Sequence, residues 1–393
     1  MEGKSNMETI RELNGNWSYP TNIRFGCGRI TELPEACKFL KVNNPLLVTD
    51  RALAKLKISK EVFDLLNQSG MRWAVFSDVD SNPNETNLTN GVKVFKAGKH
   101  DGVIALGGGS GLDVGKLVAF MAGQSRPVWD FEDVGNYWQR AEITSICPIV
   151  AVPTTAGTGS EVGRAGVITN SQTFEKKIIF HPKVLPSIVI CDPELTLGVP
   201  KDITAGTGLD AFAHCVEAFS SPNFHPMSHA IALEGMRLVI ENLPKVYNCG
   251  SDIKARAYMM CAAMMGATSF QKGLGAIHAM SHPVGALVNS HHGTTNAVCM
   301  PHVLRLNKIA IKVKFEKAAD YLGIRGGFDG FYSFVKDFNS KLGIPENLSD
   351  LGVKNIHIED LVEKALNDPS CQGNPIPLNR VNMKTLFEEA LAN

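Results

Sequence analysis

Two helix-spaced pairs of polar residues are the strongest chemical signal in this chain. Asp210 and His214 are four residues apart, and His278 and His282 repeat that spacing. Residues four apart lie on one face of a helix, about one turn from each other, so each pair can reach one ion. His292 adds another imidazole in similarly apolar surroundings. One carboxylate and three imidazoles suit a first-row divalent metal, which would also offset the cost of burying so many polar groups.

These five candidates exceed a four-ligand site, so one histidine is expected to have another role. His291 and His292 are adjacent, and neighbours on a helix point in different directions, so only one of them should face the ion. The other histidines after residue 200 are assigned to the surface or to core packing: His225, His229 and His302.

A glycine-rich turn, Gly107–Asp113, lies between an apolar run and a helical segment. Glycines let the backbone approach a phosphate closely, and a helix N-terminus supplies free N–H groups, so a diphosphate is the natural ligand. A tight turn with no ligand fits the glycines equally well. The pattern is not G-x-G-x-x-G, so the ordinary Rossmann fingerprint is not met.

A second polar turn, Pro153–Glu161, follows the next apolar run and offers hydroxyls and backbone N–H groups. Taken alone, a Ser/Thr-capped helix start is the less favoured alternative. Both turns are expected at the carboxyl ends of parallel strands, where open α/β sheets bind ligands, and together they favour a dinucleotide. Asp50 ends the first clear strand and can accept hydrogen bonds from a ribose. Because a carboxylate would repel the 2′-phosphate of NADP, we expect NAD.

The fold predicted for residues 1–200 is an α/β dinucleotide-binding domain with a parallel sheet covered by helices. Strands are predicted at 46–49, 73–76, 102–106 and 149–152, with helices at 51–66, 84–97 and 112–121, and a hairpin pairs 167–169 with 177–180. Beyond residue 200 long Ala-, Met- and Leu-rich segments predict an all-helical domain over 201–393, with helices at 211–219, 228–242, 252–268 and 303–322.

Composition narrows the class of protein. Lys plus Arg and Asp plus Glu both number 39, so no net charge favours nucleic acid or an anionic membrane. Nine cysteines without a C-x-x-C pair indicate reduced thiols. Met1–Asn6 leads into polar sequence without the apolar segment of a secretory signal, and no apolar run is long enough to span a bilayer. We therefore expect a cytoplasmic protein with no nucleic acid or membrane partner.

These motifs together resemble the iron-containing (group III) alcohol dehydrogenase family, which includes lactaldehyde reductase and propanediol dehydrogenase. The resemblance covers almost the whole chain. It rests on the motifs F-G-C-G at 25–28, V-T-D at 48–50, N-P at 82–83, G-G-G-S at 107–110, P-T-T-A-G-T-G-S-E at 153–161, G-L-D-A at 208–211, the histidine block and N-A-V-C-M-P-H at 296–302.

The resemblance implies an α/β domain and a helical domain of the dehydroquinate synthase-like architecture, with the active site between them. It implies the metal ligands Asp210, His214, His278 and His292, and leaves His282 as a non-ligand near nicotinamide and substrate. It places Phe270 in the substrate pocket and implies a homodimer or a larger homo-oligomer. The NAD contacts it implies are Asp50, Asn82, Gly108, Gly109, Ser110, Asp113, Thr154, Thr155, Thr158, Val167 and Lys176, with Lys177 as the alternative to Lys176.

The predicted reaction is hydride transfer between a primary alcohol or small diol and NAD(H). The metal would polarise the alcohol or carbonyl oxygen, and His282 would pass the proton. Softness alone suits Fe(II), Zn(II), Co(II) and Ni(II) equally, so iron comes from the resemblance. The substrate stays open, since Ile376 follows Asn374-Pro375 where many members carry Arg, and Gln271-Lys272-Gly273 is unusually charged.

Rival functions share parts of this pattern. A zinc-dependent lyase resembling dehydroquinate synthase, or a glycerol-type polyol dehydrogenase, would use additional Lys and Arg residues to hold an anionic substrate, whereas the histidine block has only Lys272 nearby. A metallohydrolase would not need the diphosphate turn or Asp50. A purely structural metal site would be closed to substrate.

Overall fold

The computed structural model describes residues 20–173, 175–353 and 358–392. The segment Met1–Asn6, which bears on the signal-peptide prediction, lies outside these residues. Across the described ranges, no helix combines the length and the apolar character that crossing a bilayer requires.

A six-stranded parallel sheet forms the centre of the first half, with strand order β1-β8-β5-β4-β2-β3. Two further strands, β6 and β7, form a separate antiparallel hairpin. The bounds are β1 Asn22–Phe25, β2 Pro45–Val48, β3 Ala74–Phe76, β4 Gly102–Gly107, β5 Ile149–Pro153, β6 Ala165–Asn170, β7 Glu175–Phe180 and β8 Ile188–Cys191. The predicted parallel sheet and hairpin are confirmed.

Two strands of the sheet were not predicted. β1 is a short edge strand whose Asn-Ile-Arg-Phe sequence shows neither alternation nor a buried apolar run. β8 is a fully buried apolar strand, but it follows the hairpin rather than a helix, which hid it from the β-α-β pattern. These two strands pair with each other in parallel, with Ile23 opposite Val189.

From residue 20 onward, where the structure describes this half, four α-helices cover the sheet. They are α1 Leu33–Phe39, α2 Lys57–Gln68, α3 Glu85–Gly98 and α4 Gly109–Met121. The start predicted for α2, at Arg51, was wrong. Asp50 Oδ1 accepts hydrogen bonds from the backbone N–H groups of Ala52 and Leu53, which favours a turn there, and the α-helix begins at Lys57. The glycine turn, by contrast, becomes helical earlier than predicted, at Gly109.

The second half is helical among the described residues. Its helices are α5 Lys201–Ser220, α6 Pro226–Asn248, α7 Ile253–Ser269, α8 Ala276–Val288, α9 His292–Tyr321, α10 Gly327–Lys341, α11 Ile358–Leu366 and α12 Arg380–Leu391. α5 is buried along its whole length from Thr204 to Ser220, because α6, α7 and α9 pack around it. A helix that is buried on all sides is the natural position for groups that must be kept from water.

α9 begins eleven residues before its predicted start at Val303, despite Pro301 within it. Proline lacks the N–H that would bond to the carbonyl of residue 297. The side chain of Asn339 on α10 replaces it, since its Nδ2 donates to Ala297 O at 2.7 Å. A tertiary contact therefore keeps the helix continuous, and no local sequence rule predicts it.

Strand alternation divides the core between the two faces of the sheet. Leu46 and Val48 of β2 point into a large apolar cluster that continues into the helical half, whereas Leu47 packs with Ile104 in a smaller cluster on the opposite face. Because the two halves share one apolar core, the cleft between them has fixed walls. The cleft encloses a cavity of about 740 Å³ lined by both halves.

Candidate metal centre and cofactor cleft

The buried helix α5 positions the first two predicted ligands. Asp210 and His214 lie one turn apart, and each is no more than 5% exposed. Asp210 Oδ1 and His214 Nε2 are 3.8 Å apart. The spacing of four residues thus places both side chains on the inward face, as the sequence predicted.

Two other helices bring histidines to the same carboxylate. His278 on α8 places its Nε2 3.8 Å from Asp210 Oδ1, and His292, the first residue of α9, places its Nε2 at 3.7 Å. Tetrahedral bonds of the usual length would put ligand atoms roughly 3.4 Å apart. The donor set fits a divalent cation in both chemistry and spacing, and Asp210, His214 and His278 form a compact candidate metal group.

Burial keeps two of these imidazoles in the form that binds metals. It lowers the pKa of His214 to about 4 and holds that of His292 well below its ordinary value. Both rings are therefore neutral at pH 7 and present lone pairs. Asn296 gives further evidence of convergence: its Nδ2 donates to Asp210 Oδ1 at 2.8 Å and lies 3.2 Å from the Nε2 atoms of His278 and His292.

Glu217, which the sequence analysis missed, fixes the third imidazole. Its Oε2 lies 2.5 Å from His278 Nδ1, and its Oε1 accepts from the backbone N–H of Ile277 at 2.7 Å. Burial disfavours protonation of His278, but the charge and hydrogen bond of Glu217 outweigh it and raise the pKa. The contact orients Nε2 toward Asp210. A signal was present, since Glu217 is seven residues after Asp210 and so lies on the same helix face.

His282 has a different partner. Its Nδ1 lies 2.6 Å from Asp368 Oδ2, and the other oxygen of Asp368 accepts from the backbone N–H of Ser370 at 2.8 Å. A carboxylate only accepts, so Nδ1 carries the proton and Nε2 keeps a lone pair. His282 lines the cavity, as do Pro369 and Ser370 directly after Asp368, and the ring of His282 stacks on His292. No motif in the sequence indicated Asp368, which is 86 residues away.

The remaining histidines of this half have packing contacts. His291 caps α9 through its Nδ1, and His225 caps α6 in the same way. His229 packs on Phe219 with ring centroids 4.1 Å apart, and His302 lies 3.9 Å from Glu389. None of these contacts reaches Asp210.

The two predicted cofactor turns lie side by side. Gly109 starts α4, and a Cβ there would be 2.7 Å from Thr158 Cγ2, so only glycine permits this approach. The first N–H groups of α4 have no partners within the helix and border the cavity, where an anion can accept from them. Asp113 ties the parts together: its two oxygens accept from Ser160 Oγ at 2.5 Å and from Val167 N at 3.0 Å.

Most residues predicted to contact cofactor or substrate line this cavity. Asp50 and Thr154 are the exceptions: Asp50 bonds to the turn after β2, and Thr154 N donates to Gly107 O at 2.9 Å. Asn82 donates across the cleft to Asn289, and Lys177 pairs with Glu175 outside it. The lining residues among those predicted are Asn82, Gly108, Gly109, Ser110, Asp113, Thr155, Thr158, Val167, Lys176 and Phe270, together with Asp210, His214, His278, His282 and His292.

A buried cation beneath the cofactor turns was also missed. Lys116 on α4 is fully buried, and its Nζ donates to Ser160 O at 2.9 Å and to Ala165 O. It thereby joins the second turn to the hairpin. Glu161 lies in the same region, and burial raises its pKa to about 7.

Phe270 adjoins the metal side of the cavity, with its ring centroid 5.1 Å from that of His214. The charged residue after it does not. Lys272 Nζ instead donates to Ala218 O at 3.0 Å and to Ser221 O at 2.7 Å, which caps the C-terminus of α5. Lys272 therefore caps the helix that carries Asp210 and His214.

Comparisons with known proteins agree with this geometry. The family model "Iron-containing alcohol dehydrogenase" matches residues 20–193, and "Fe-containing alcohol dehydrogenase family, C-terminal" matches residues 204–391. The chain is 35% identical over 384 residues to 4-hydroxybutyrate dehydrogenase of Cupriavidus necator. This match covers 95% of this chain and 99% of the relative.

Solved structures are similar over nearly the same length. One is 1,3-propanediol oxidoreductase, with a TM-score of 0.89, 35% identity and coverage of 96% of this chain and 100% of that one. Another is sulfoacetaldehyde reductase from Bifidobacterium kashiwanohense, solved in complex with NAD+, with a TM-score of 0.86, 28% identity and coverage of 96% and 99%.

The contact between Glu217 and His278 predicts a loss of metal affinity in Glu217→Gln. A neutral amide would no longer support the basicity of His278, and loss of such an outer contact weakens metal binding by about 10- to 100-fold. Competition with a chromogenic chelator would measure this. The exposed Glu61→Gln on α2 serves as the matched control, and equal affinities of the two variants would contradict the assignment.

The close packing at Gly293 leads to a second prediction, which concerns stability and metal binding at the candidate metal centre. A Cβ at Gly293 would be 2.0 Å from Gly206 O and 2.8 Å from Asp210 Cβ, so alanine must push α9 away from α5. Gly293→Ala should lower stability by about 1–3 kcal/mol and reduce bound metal at limiting concentration. Gly198→Ala, where a Cβ meets nothing within 4 Å, is the control. Metal content by mass spectrometry and thermal unfolding would check both effects.

The raised pKa of Glu161 predicts that the difference in stability between wild type and Glu161→Gln depends on pH. Its folded pKa is raised from 4.5 to about 7, so the folded state keeps a proton that the unfolded state loses as pH rises through this window. Its presence therefore costs stability progressively up to about pH 7. Relative to wild type, Glu161→Gln should gain about 2–3 kcal/mol between pH 5 and pH 8. Denaturant unfolding at both pH values tests this, and a pH-independent difference would contradict it.

Proposed function

This chain belongs to the iron-containing alcohol dehydrogenase family. On that premise we propose which of its residues bind the metal, the cofactor and the substrate while an alcohol is oxidised or an aldehyde is reduced. The resemblance found in the sequence motifs is confirmed by the family models and by the relatives. The enzyme is an alcohol dehydrogenase that acts on a small-molecule alcohol or aldehyde. The assignments of individual residues that follow are our proposals.

Asp210, His214, His278 and His292 are proposed as the ligands of the catalytic cation. The observation that carries this proposal is the convergence of three imidazole Nε2 atoms on Asp210 Oδ1 at 3.7–3.8 Å, beside a cavity that also contains the glycine turn. When bound, the divalent cation would polarise the substrate oxygen and the nicotinamide would exchange hydride with the substrate carbon.

The chain's own groups hold and orient the reactants. The first N–H groups of α4 and the hydroxyls of Thr155 and Thr158 are proposed to bind the cofactor diphosphate and ribose. Lys176 is proposed as a further cofactor contact, since it is half-buried and lies on β7 at the same cavity. Val167 would line the nicotinamide side. Asp50, next to the glycine turn, supports NAD over NADP.

His282 is proposed to move the proton. Asp368 keeps the proton of the imidazole on Nδ1, so Nε2 is available to accept a proton from the alcohol or, after protonation, to return one to the aldehyde oxygen. The contact also prevents the ring from rotating. Asp368 is therefore a positioning residue for His282.

The rival functions receive less support. A metallohydrolase does not account for the paired glycine and threonine turns in the same cavity as the histidines, and a structural metal site does not account for a cavity of about 740 Å³ beside it. NADH fluorescence titration separates the hydrolase, which should give no binding signal.

We further propose a domain boundary near residue 200, a homo-oligomer and a cytoplasmic location. All nine cysteines are free, which supports a reducing compartment. Iron follows from the family, whereas zinc suits the same donor set equally in softness.

The test is an anaerobic panel of primary alcohols, diols and aldehydes with NAD(H), after loading with Fe(II) or Zn(II). His282→Asn should lower kcat by about 10²- to 10⁴-fold while metal content stays at the wild-type level, because a proton carrier is lost and no ligand is. His278→Ala should lose both metal and activity.

His302→Asn is the matched control, since His302 lies outside the cavity. Loss of metal in His282→Asn would make His282 a ligand and overturn the division of roles. Absence of activity toward the whole panel in metal-loaded wild-type enzyme would overturn the proposed function.

A further inference from the structure

Arg164 is a cavity-lining cation that the proposed chemistry does not use. It immediately precedes β6 and borders the cavity together with Phe180 and Gln271. Its Nη2 donates to Gln271 Oε1 at 3.4 Å, and its Cζ lies 5.4 Å from the centroid of the Phe180 ring. Among the described residues no ion pair involves Arg164, and the carboxylate whose charge acts on its guanidinium is that of Asp133. A half-buried guanidinium with so little compensation is suited to an anion.

The hairpin places Arg164 beyond the nicotinamide side of the cavity. Lys176 pairs with Thr169 near the turn of the hairpin, Val167 pairs with Ile178 in its middle, and Ala165 pairs with Phe180 at its base. Three residues of extended chain separate Arg164 from Val167, which is roughly 10 Å. Arg164 and Lys176 are therefore at opposite ends of the hairpin. If Lys176 contacts the cofactor, Arg164 remains available to contact the substrate.

Contacts through the Phe270 segment connect Arg164 to the metal centre. Gln271 accepts from Arg164 and donates from its Nε2 to Thr268 O at 3.1 Å, which fixes its amide. The neighbouring Phe270 packs against His214. A small molecule between Phe270 and Arg164 would thus reach the metal ligands at one end and the guanidinium at the other.

The other cations of this region have partners or positions that exclude this role. Lys116 is occupied by the carbonyls of Ser160 and Ala165, and Lys272 by the end of α5. Asp133 also borders the cavity, and burial raises its pKa despite the opposing effect of Arg164. Any negative charge on Asp133 would compete with an anion for Arg164.

We infer that Arg164, oriented by Gln271, binds the carboxylate of a short hydroxy acid whose terminal alcohol reaches the metal centre, or of the matching aldehyde acid. This inference rests on the proposed function. In the forward direction the carbinol carbon loses hydride to NAD+, the hydroxyl proton leaves through His282, and the alcohol becomes an aldehyde while the carboxylate is unchanged.

The test compares two four-carbon primary alcohols that differ only at the far end: 4-hydroxybutyrate and 1,4-butanediol, each with NAD+ and metal-loaded enzyme. Arg164→Gln should lower kcat/KM for 4-hydroxybutyrate by about 10- to 100-fold, mainly through KM, and change that for butanediol less than about threefold. Butyrate, which cannot react, should inhibit wild type competitively and lose potency by a similar factor in the variant.

Three further variants sharpen the result. Arg164→Lys should be intermediate, because it keeps the charge and loses the paired N–H geometry. Asp133→Asn should improve kcat/KM for 4-hydroxybutyrate, and a decrease would count against the inference. Arg126→Gln, an exposed arginine outside the cavity, is the matched control and should leave both substrates unaffected.

The outcomes separate the two levels of the argument. Equal losses for both alcohols in Arg164→Gln would make the residue structural, and unchanged kinetics with 4-hydroxybutyrate would remove it from substrate recognition; either result overturns the inference alone. Wild-type enzyme that oxidises no primary alcohol would overturn the proposed function, and the inference with it.

Discussion

The site depends on how closely three helices approach one carboxylate. Asp210 is on α5, and the imidazoles that surround it come from α5, α8 and α9. Four ligand atoms share one point only if the helix axes keep their separations to a fraction of an ångström. Glycine at 293, against the backbone at Gly206, allows α9 to come this close. The apolar packing around α5 therefore supports the proposed metal centre, because any expansion of this core would separate the four candidate ligands.

The cofactor side is held by polar contacts instead. Asp113 links the start of α4 to the second polar turn and to the hairpin, and the Lys116 ammonium group satisfies two carbonyls beneath them. These turns have few apolar side chains with which to pack, so buried hydrogen bonds fix their mutual position. The apolar cluster that continues from the sheet into the helical half then sets the distance between these turns and the metal centre.

Local patterns in the sequence predicted the elements whose causes are local. The spacing of Asp210 and His214, the glycine turn and the hairpin all follow from rules that act within a few residues. What escaped prediction depends on partners distant in the sequence: Asp368 meets His282 across 86 residues, and Asn339 lets α9 continue past Pro301. Glu217 is the intermediate case, since its helix periodicity was visible but its partner on α8 was not.

Proximity in sequence proved a poor guide to charge at the site. Lys272 is the basic residue nearest to the histidine block, yet it turns away because the C-terminus of α5 leaves carbonyl groups that need donors in a buried position. Lys314 also donates to Ser221 O at 3.3 Å and to Phe219 O at 3.1 Å, and burial together with this second ammonium group lowers the pKa of Lys272 to about 7. The N–H groups of Lys272 are thus used for the helix that carries Asp210 and His214. Other cavity-lining residues, Arg164 and Gln271 among them, lie outside the helices that carry Asp210, His278 and His292, beside the hairpin and in the segment after α7. Under the proposed assignment, substitutions at these positions would leave the four proposed metal ligands in place.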